Sequence, residues 1–289
     1  MLDTQKLCQI LNIKPAELQY LADNIDRFYY LISNPKLGKD GIQLKDKHGK
    51  PRTRDLYPSV RLLKTVQRGI YRNILKRMKL PVYAFGGIEK RDNILNAKMH
   101  QGNKFFFNTD LRNFYPGITH TQVYELFASR GFAPATANIL TKLTTYKGQL
   151  PQGTPTSPYL ANLVFVKAGL EIQEFAKANN LTFTTFVDDI TLSSKLDFHP
   201  LVNTIKEMIT SKGFKISQNK TFYQTKMPKV TNVIVTRNGL RLSDAYHVKI
   251  DGFQDKQTPQ AKGTINYSKR VEKISKIPVA KIKRNIISN

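Results

Sequence analysis

Two adjacent aspartates lie at the tip of a predicted strand–turn–strand element. Asp188 and Asp189 stand between residues 184–187 and residues 190–192, two uncharged stretches that are rich in β-prone side chains. Neighbouring carboxylates repel each other unless a cation neutralises them. Taken alone, such a pair is more typical of a solvated hairpin turn than of a metal site.

A third carboxylate changes that interpretation. Asp110 ends a predicted buried strand that begins with three phenylalanines, Phe105, Phe106 and Phe107. If this strand and the Asp188–Asp189 element are neighbours in one sheet, three carboxylates converge, and hard oxygen donors suit Mg²⁺. Two such ions about 4 Å apart can activate a 3′-hydroxyl and stabilise a leaving pyrophosphate.

The elements that must position these carboxylates are predicted from apolar spacing, caps and turn residues, and the mixture predicts an α+β fold. In chain order they are a helix over 15–33 with Pro15 in its first turn, a loop or hairpin over 34–50, a helix over 59–79, the strand ending at Asp110, a helix from the Thr119–Gln122 capping box to Gly131, a helix over 157–178, a strand pair over 181–194, and a hairpin over 230–243 with a type I′ turn at Asn238-Gly239.

The composition favours a polyanionic partner. The 289 residues have a net charge of +25, and residues 36–79 contain 14 basic and 3 acidic residues, so nucleic acid is the leading candidate and a merely solvated basic surface is the alternative. Cys8 is the only cysteine, which excludes internal disulfides and suits a reducing cytosol. The absence of an apolar run of about 20 residues and of a signal-peptide pattern predicts a protein of the cytoplasm without a membrane span.

Four stretches, in order, resemble the catalytic motifs of reverse transcriptases. They are Asp110-Leu111-Arg112-Asn113-Phe114-Tyr115-Pro116; the nine residues from Leu150 to Pro158, which contain Gln152 and Gly153; Phe186-Val187-Asp188-Asp189; and Gly213 to Ser217 with Asn219-Lys220-Thr221. The second stretch is the most specific of the four. Asp188 of the third stretch lies 78 residues after Asp110 of the first.

The resemblance implies a role for each matching residue. Asp110, Asp188 and the backbone carbonyl of Leu111 would hold two Mg²⁺ ions, with help from Asp189. Lys220 would be a candidate proton donor to pyrophosphate.

Further implied roles concern the incoming deoxynucleoside triphosphate. Tyr115 would lie under the sugar and exclude a 2′-hydroxyl, and Gln152 with the Gly153 backbone would contact the nucleotide and the template base. Arg52 and Arg54 would bind the triphosphate, because an Arg fork matches phosphate oxygens; the sequence does not separate the two.

One further stretch indicates which group of reverse transcriptases is most similar. Asn96-Ala97-Lys98-Met99-His100 matches the Asn-Ala-x-x-His box typical of bacterial retron enzymes, and Asn96 and His100 are candidate RNA-binding residues, although the histidine is equally a structural hydrogen bonder. Two positions depart from the retron pattern: residues 230–232 read Val-Thr-Asn where Val-Thr-Gly is usual, and residues 186–187 read Phe-Val where Tyr-Ala is usual.

The resemblance implies a right-hand polymerase fold with fingers, palm and a short helical thumb. The implied domains are an N-terminal helical region over 1–33, fingers over 34–103 and 119–155, a palm over 104–118 and 156–236, and a thumb over 237–289. The implied activity is the synthesis of DNA on a structured noncoding RNA. Synthesis would start from the 2′-hydroxyl of an internal guanosine of that RNA and leave a branched RNA–DNA product. Family members act in antiphage defence with a separate effector protein.

Three other functions compete with this one. Group II intron-like and other defence-associated reverse transcriptases would carry an added domain. A non-catalytic RNA-binding scaffold would lack a catalytic aspartate. A viral RNA-dependent RNA polymerase would not need the bulky gate at Tyr115.

The C-terminal residues predict a second nucleic-acid contact. Residues 249–289 contain ten basic and three acidic residues, and Pro278 predicts a break between two short helices. Apolar residues such as Val271 and Ile274 provide a packing face. We expect this thumb to grip RNA through Lys269, Arg270 and Lys273.

Overall fold

A computed structural model describes residues 3–38, 41–46 and 48–287 of the chain. These residues divide into two compact units. Unit 1 takes its residues from Met1–Lys79 and Asn113–Val164, and unit 2 takes its residues from Leu80–Arg112 and Phe165–Asn289. The four-part division into N-terminal region, fingers, palm and thumb remains a prediction.

Helices and strands alternate irregularly along the described chain, as the α+β prediction requires. The helices are α1 Thr4–Leu11, α2 Pro15–Asp23, α3 Arg61–Asn73, α4 Asn93–Met99, α5 Phe114–Gly117, α6 His120–Ser129, α7 Pro134–Thr144, α8 Ser157–Ala178, α9 Val202–Thr210, α10 Asp244–Asp251, α11 Pro259–Ser275 and α12 Val279–Ile287. The strands are β1 Ile32–Pro35, β2 Thr53–Leu56, β3 Phe105–Asp110, β4 Thr182–Phe186, β5 Asp189–Ser194, β6 Phe222–Gln224, β7 Lys229–Val230, β8 Val233–Val235 and β9 Leu240–Arg241.

In unit 1, helices α1, α2, α3 and α7 pack against one another, and β1 and β2 form an antiparallel pair whose side chains are mostly exposed. The buried side chain of Gln67 on α3 is hydrogen-bonded to three separate segments of the unit. Its amide donates to the hydroxyl of Tyr29 at 2.9 Å and to the carbonyl of Leu143 at 2.8 Å, and its oxygen accepts from Ser59 at 2.6 Å. Every polar atom of this buried amide group is therefore satisfied.

The prediction of one helix over residues 15–33 is wrong in its C-terminal half. Helix α2 ends at Asp23, and a 3₁₀ turn follows over Ile25–Phe28. The side-chain amide of Asn24 donates to the carbonyl of Tyr20 at 3.0 Å and so caps the helix. Apolar spacing misses this break because a short 3₁₀ turn keeps the same side facing the core.

Unit 2 contains a four-stranded antiparallel sheet with the strand order β4–β5–β3–β6 and a smaller sheet with the order β7–β8–β9. A core cluster joins β3, α4, the small sheet and α11; its buried members are Ile94, Ala97, Phe106, Val230, Val233, Val235, Leu240, Leu242 and Val271. The predicted strand ending at Asp110 and the predicted strand pair around Asp188 are both confirmed.

The tight turn of the small sheet lies one connection earlier than predicted. Thr231 and Asn232 join β7 to β8 with φ of 45° and 69°, the pattern of a type I′ turn. The prediction of such a turn at Asn238-Gly239 is wrong, since neither residue has a positive φ. Asn adopts the left-handed region more readily than other non-glycine residues, which explains why Asn can stand at position 232 where the retron pattern has Gly.

The predicted break between two C-terminal helices is confirmed. Helices α11 and α12 lie on either side of Pro278, and α10 precedes this pair. In the part of the chain that the structure describes, no helix has both the length and the apolarity needed to cross a bilayer.

Candidate active site

The pairing of β3 with β5 brings the three aspartates together. Asp110 and Asp189 are direct cross-strand partners in this antiparallel register, where paired Cβ atoms lie about 5 Å apart. The backbone N–H of Leu111 donates to the carbonyl of Asp188 at 2.8 Å, which fixes the third aspartate at the same end of the sheet.

The local sequence explains why the strands meet in this register. Phe106 and Phe107 of β3 are both fully buried, so apolar side chains are covered on both faces of the strand. In the observed register Phe107 lies opposite the buried Leu192 of β5, and a slip by one residue would place it opposite the polar Thr191 or Ser193 instead. Residues 187 and 188 form the two-residue turn that connects Phe186 to its partner Asp189. The carboxylates therefore lie at the one end of the sheet where β3 and β4 finish.

The electrostatics of the cluster favour a bound cation. Burial, followed by the charges of Asp188 and Asp110, raises the pKa of Asp189 to about 6, although the Lys220 ammonium acts in the opposite direction. Ionising all three carboxylates in this partly buried place is costly without a positive charge beside them.

Lys220 supplies one such charge. Its Nζ lies 2.7 Å from Oδ2 of Asp110. The segment that carries it is joined to the end of β3: Ser217 N–H donates to the Asp110 carbonyl at 2.8 Å, and the hydroxyls of Thr109 and Thr221 are hydrogen-bonded at 2.8 Å. The structure thus brings together every residue that the sequence predicts for catalysis.

The residues present fit divalent ions by their chemistry. They are hard oxygen donors whose mutual repulsion a dication would relieve. Among residues 3–38, 41–46 and 48–287, however, no three acidic, His or Cys side chains already form a group that could hold a metal ion. The Lys220 ammonium would compete with such an ion for Asp110 Oδ2.

A pocket of about 240 Å³ lies within unit 1 and collects most of the predicted nucleotide contacts. Its lining residues are Arg54, Leu56, Tyr115, Gln152, Gly153, Thr154, Ser157 and Pro158. Arg52 is not among them. The structure therefore distinguishes Arg54 from Arg52 as a lining residue, which the sequence could not do.

Backbone contacts give this pocket its shape. The N–H of Tyr57, which follows β2, donates to the carbonyl of Gln152 at 2.7 Å. Gly153 has φ of +97°, which a residue with a side chain adopts only with strain. The hydroxyls of Thr154 and Ser157 are hydrogen-bonded at 2.7 Å below the surface. Thr154 is a lining residue that the sequence analysis did not single out.

Asn96 and His100 lie in the interior of unit 2, with exposed fractions of 1% and 0%. The two ring nitrogens of His100 are hydrogen-bonded to the hydroxyls of Ser193 at 2.6 Å and Thr184 at 2.7 Å. Burial, together with the charge of Lys283, lowers the pKa of His100 to about 3, so the ring is neutral at physiological pH. Direct RNA contact by these two residues stays a prediction; both side chains are buried, and His100 joins α4 to β4 and β5.

Helix α4 also contacts α11 through polar groups that the sequence analysis missed. The amide of Asn93 donates to the Tyr267 hydroxyl at 2.6 Å, and the buried ammonium of Lys98 donates to the carbonyl of Ser275 at 2.7 Å. Burial lowers the pKa of Lys98. Nothing in the local sequence distinguishes Lys98 from a solvated lysine, because its partner lies 177 residues away.

The three predicted RNA-binding residues of α11 are not equivalent. Lys269 and Lys273 are exposed and lie four residues apart on one helical face. Arg270 instead forms an ion pair with Asp92, with Nη2 2.5 Å from Oδ2. Part of its guanidinium is therefore already paired with a carboxylate of the protein and is less available to RNA phosphates. Lys276 shares the exposed face of Lys269 and Lys273.

Comparison with known proteins identifies the family of this chain. Residues 45–253 match the family model described as reverse transcriptase (RNA-dependent DNA polymerase). The chain is 35% identical to the retron Ec86 reverse transcriptase of Escherichia coli over 64% of this chain and 59% of that protein. It is 29% identical to the retron Se72 reverse transcriptase of Salmonella heidelberg (strain 579083-10) over 67% of this chain and 53% of that protein. It is also 29% identical to the retron Ec48 reverse transcriptase of Escherichia coli over 75% of this chain and 54% of that protein.

The matches thus span between half and three fifths of the length of these relatives. All three are retron enzymes, which confirms the expected resemblance, and the family match covers all four catalytic motifs and supports the right-hand polymerase fold. With its three aspartates, its motif lysine and its Gln-Gly pocket in place, this chain belongs to the reverse transcriptase family.

Proposed function

We propose that this protein is an RNA-directed DNA polymerase whose catalytic residues are Asp110, Asp188, Asp189 and Lys220. The observation that carries the proposal is the β3–β5 register, which opposes Asp110 to Asp189 and so collects carboxylates from two separate motifs. A scaffold that only binds RNA would have no use for three carboxylates that repel one another.

The carboxylates and the Leu111 carbonyl would hold two Mg²⁺ ions. When bound, these ions would lower the pKa of the attacking 3′-hydroxyl and neutralise charge on the leaving pyrophosphate. Lys220, displaced from Asp110, would be free to give a proton to pyrophosphate. Asp189, whose pKa is raised to about 6, would ionise at a lower pH once a cation lay beside it.

The pocket of unit 1 would bind the deoxynucleoside triphosphate. Arg54 would hold phosphate oxygens, since its planar fork matches their geometry. Tyr115 would exclude a 2′-hydroxyl, and Gln152 with the backbone of Gly153 would contact the nucleotide and the template base. The support is that all four residues line one pocket, where Gly153 leaves its backbone open to a ligand.

The template-primer would be a structured noncoding RNA, and the product a branched RNA–DNA molecule. The resemblance to retron enzymes supports this choice, as does the charge of +25. Two helices present exposed cations along one face, and such faces bind phosphates. These cations are Arg61, Lys64, Arg68 and Arg72 on α3, and Lys262, Lys269 and Lys273 on α11 together with its C-terminal cap residue Lys276. By the same resemblance, the protein would act in the bacterial cytoplasm in antiphage defence, with a separate effector protein.

Replacing Asp188 with Asn tests the catalytic part of the proposal. We expect Asp188→Asn to abolish Mg²⁺-dependent primer extension, while RNA affinity in a filter-binding assay stays unchanged because many separate cations contribute to it. The exposed Asp251 on α10 provides a matched control, and Asp251→Asn should extend primers normally. Extension by Asp188→Asn near the level of this control would contradict the two-metal site.

Expression with the neighbouring RNA locus tests the retron part. We expect a short single-stranded DNA of fixed size to copurify, joined to RNA through a branch that a debranching enzyme removes. Linear cDNA from a conventional primer would instead favour a group II intron-like or other defence-associated reverse transcriptase.

A further inference from the structure

Gly86 lies directly against the turn that carries Asp188. A Cβ placed on Gly86 would lie 2.5 Å from Val187 Cγ2, 2.7 Å from Val187 N and 2.9 Å from the carbonyl carbon of Phe186. Two of these three atoms belong to the backbone, so no change of rotamer could relieve the overlap. Close approach of another segment of backbone, and not a special φ at Gly86, is what requires glycine at this position.

Gly86 belongs to residues 83–87, which we call the strap. The strap runs along the free edge of β4 and is hydrogen-bonded to it beside the catalytic turn. The N–H of Phe85 donates to the carbonyl of Thr185 at 2.8 Å, and the N–H of Thr185 donates to the carbonyl of Tyr83 at 2.8 Å. The strap therefore cannot move away from the turn without losing both of these hydrogen bonds.

Two further sets of contacts hold the strap in place. The Arg91 guanidinium donates to the carbonyls of Pro81 at 2.9 Å and Ala84 at 2.6 Å. The side chain of Phe85 is fully buried in a cluster with Ile282 and Ile286 of α12. This cluster also includes the partly buried side chains of Leu95, Met99, Phe186 and Ile277. Because the strap is fixed by packing as well as by hydrogen bonds, the turn is the part that would have to move.

The turn itself is held in an unfavourable conformation. Val187 has φ of +57°, a region that β-branched residues rarely adopt. A positive φ at the first residue of a two-residue turn is the pattern of type II′, in which glycine is preferred at that position. Backbone of this kind persists only where neighbouring structure imposes it. The neighbours that impose it here are the strap on one side and the Leu111–Asp188 hydrogen bond on the other.

We propose that Gly86 is a positioning residue for the catalytic turn, because its missing side chain allows the strap to hold Val187 in the conformation that sets Asp188 and Asp189 against Asp110. This inference rests on the proposed polymerase function and deepens it. A side chain at position 86 would push Val187 outward and carry Asp188 with it. The metal ligands would then be misplaced although none of them had been changed.

Gly86→Ala tests the proposal against Gly263→Ala, a control on α11 whose new Cβ would meet no atom within 4 Å. We expect Gly86→Ala to lower kcat at least about tenfold, since displacement of a catalytic group by about 1 Å is that costly. The Mg²⁺ concentration for half-maximal rate should rise, and Mn²⁺ binding to the substrate-free protein should weaken by about threefold or more. The KM for nucleotide and the affinity for RNA should stay within about twofold of the control. A kcat and Mn²⁺ affinity equal to those of Gly263→Ala would overturn the proposal.

A second pair of variants serves if Gly86→Ala does not fold. Val187→Gly and Val187→Ala both remove the Cγ2 atom nearest to Gly86, but only glycine also frees the backbone of the turn. If the contact with Gly86 holds residue 187 at a positive φ, glycine relieves strain that alanine keeps, so we expect Val187→Gly to melt at a higher temperature than Val187→Ala. Because Gly86 contacts the turn backbone in both variants, their Mn²⁺ affinities should agree within about twofold. A lower melting temperature for Val187→Gly, or Mn²⁺ affinities that differ by more than this, would overturn the proposal. Failure of the unaltered protein to extend primers would contradict the proposed function instead.

Discussion

Lys220 Nζ is bound to Asp110 Oδ2 at 2.7 Å, so a cation from the protein itself is paired with a carboxylate that we propose as a metal ligand. The lysine side chain is more than half exposed, whereas the Asp110 side chain is 12% exposed. The lysine can therefore swing away into solvent, while the carboxylate stays fixed at the end of β3. Lys220 has two proposed roles, as a counter-ion before metal binding and as a proton donor after it.

Lys220→Met should separate these two roles. Removing the ammonium should strengthen Mn²⁺ binding to the substrate-free protein by about threefold or more, because no cation has to be displaced from Asp110. It should also lower kcat by about tenfold or more through loss of the proton donor. Lys195→Met is the matched control, because Lys195 follows β5 at the end opposite to Asp189. Unchanged Mn²⁺ affinity in Lys220→Met would show that the ion pair does not compete with metal.

Asp189→Asn should change how stability depends on pH. The folded-state pKa of Asp189 is raised to about 6, above the ordinary value of 3.8, so its contribution to stability is fully present below pH 4 and is lost as the pH rises through 6. The asparagine variant does not titrate at this position. We therefore expect the metal-free variant to be more stable than the unaltered protein at pH 8, by about 3 kcal/mol, and this advantage should shrink toward pH 4. Chemical denaturation across that range, without metal, measures it, and a constant difference would contradict the raised pKa.

Arg54→Ala should raise the KM for deoxynucleotides more than Arg52→Ala does. Of these two arginines, Arg54 lines the pocket of unit 1 and Arg52 does not. Loss of a two-pronged Arg–phosphate contact costs about 2 kcal/mol, which corresponds to a roughly thirtyfold rise in KM. Steady-state kinetics with a homopolymer template would give both values. Equal effects of the two substitutions would mean that pocket lining does not select the phosphate ligand.

Tyr115→Ala should allow the enzyme to incorporate ribonucleotides. The smaller side chain leaves room for a 2′-hydroxyl in the pocket that Tyr115 lines together with Gln152 and Gly153. Tyr115→Phe keeps the ring and should keep the discrimination. The ratio of kcat/KM for deoxyribonucleotides to that for ribonucleotides is the measurement, and the same ratio in both variants would exclude Tyr115 as the gate.

Replacing Lys269, Lys273 and Lys276 together with Ala should weaken RNA binding and flatten its dependence on salt. Each lost phosphate contact lowers the slope of log affinity against log salt by about one. Arg270→Ala is the contrasting variant, because it breaks the ion pair with Asp92; it should affect the melting temperature more than the slope. Binding titrations over a salt series decide the matter, and an unchanged slope in the triple variant would exclude this face of α11.

The helix prediction over residues 15–33 shows where sequence patterns lose resolution. The apolar residues keep their spacing through the helix break, so only the cap at Asn24 marks the end of α2. The turn at Asn238-Gly239 illustrates a related limit. This dipeptide is typical of type I′ turns, yet the four-residue connection is closed by hydrogen bonds between Thr236 and Gly239 without a positive φ. Tertiary contacts override local preference at such short connections, and Gly239 in addition packs tightly against Ser275.

The sequence by itself determined strands β3, β4 and β5, the carboxylates at their ends and the family. These features follow from short-range order: apolar runs in β3, β4 and β5, turn residues between β4 and β5, and four motifs at characteristic spacing. An antiparallel register is set by which side chains must be buried. The convergence of Asp110 with Asp189 could therefore be predicted as soon as the two strands were taken as neighbours.

Only the tertiary structure decided which residues act on those carboxylates and which serve the framework. In the folded chain Lys220 is paired with Asp110, Arg54 but not Arg52 lines the pocket, and His100 is buried against β4 and β5. It also brought Gly86 against the turn at Val187, 101 residues away along the chain. Each of these outcomes depends on a contact between residues far apart in sequence. The spacing of residue types within a short stretch of chain holds no information about such contacts.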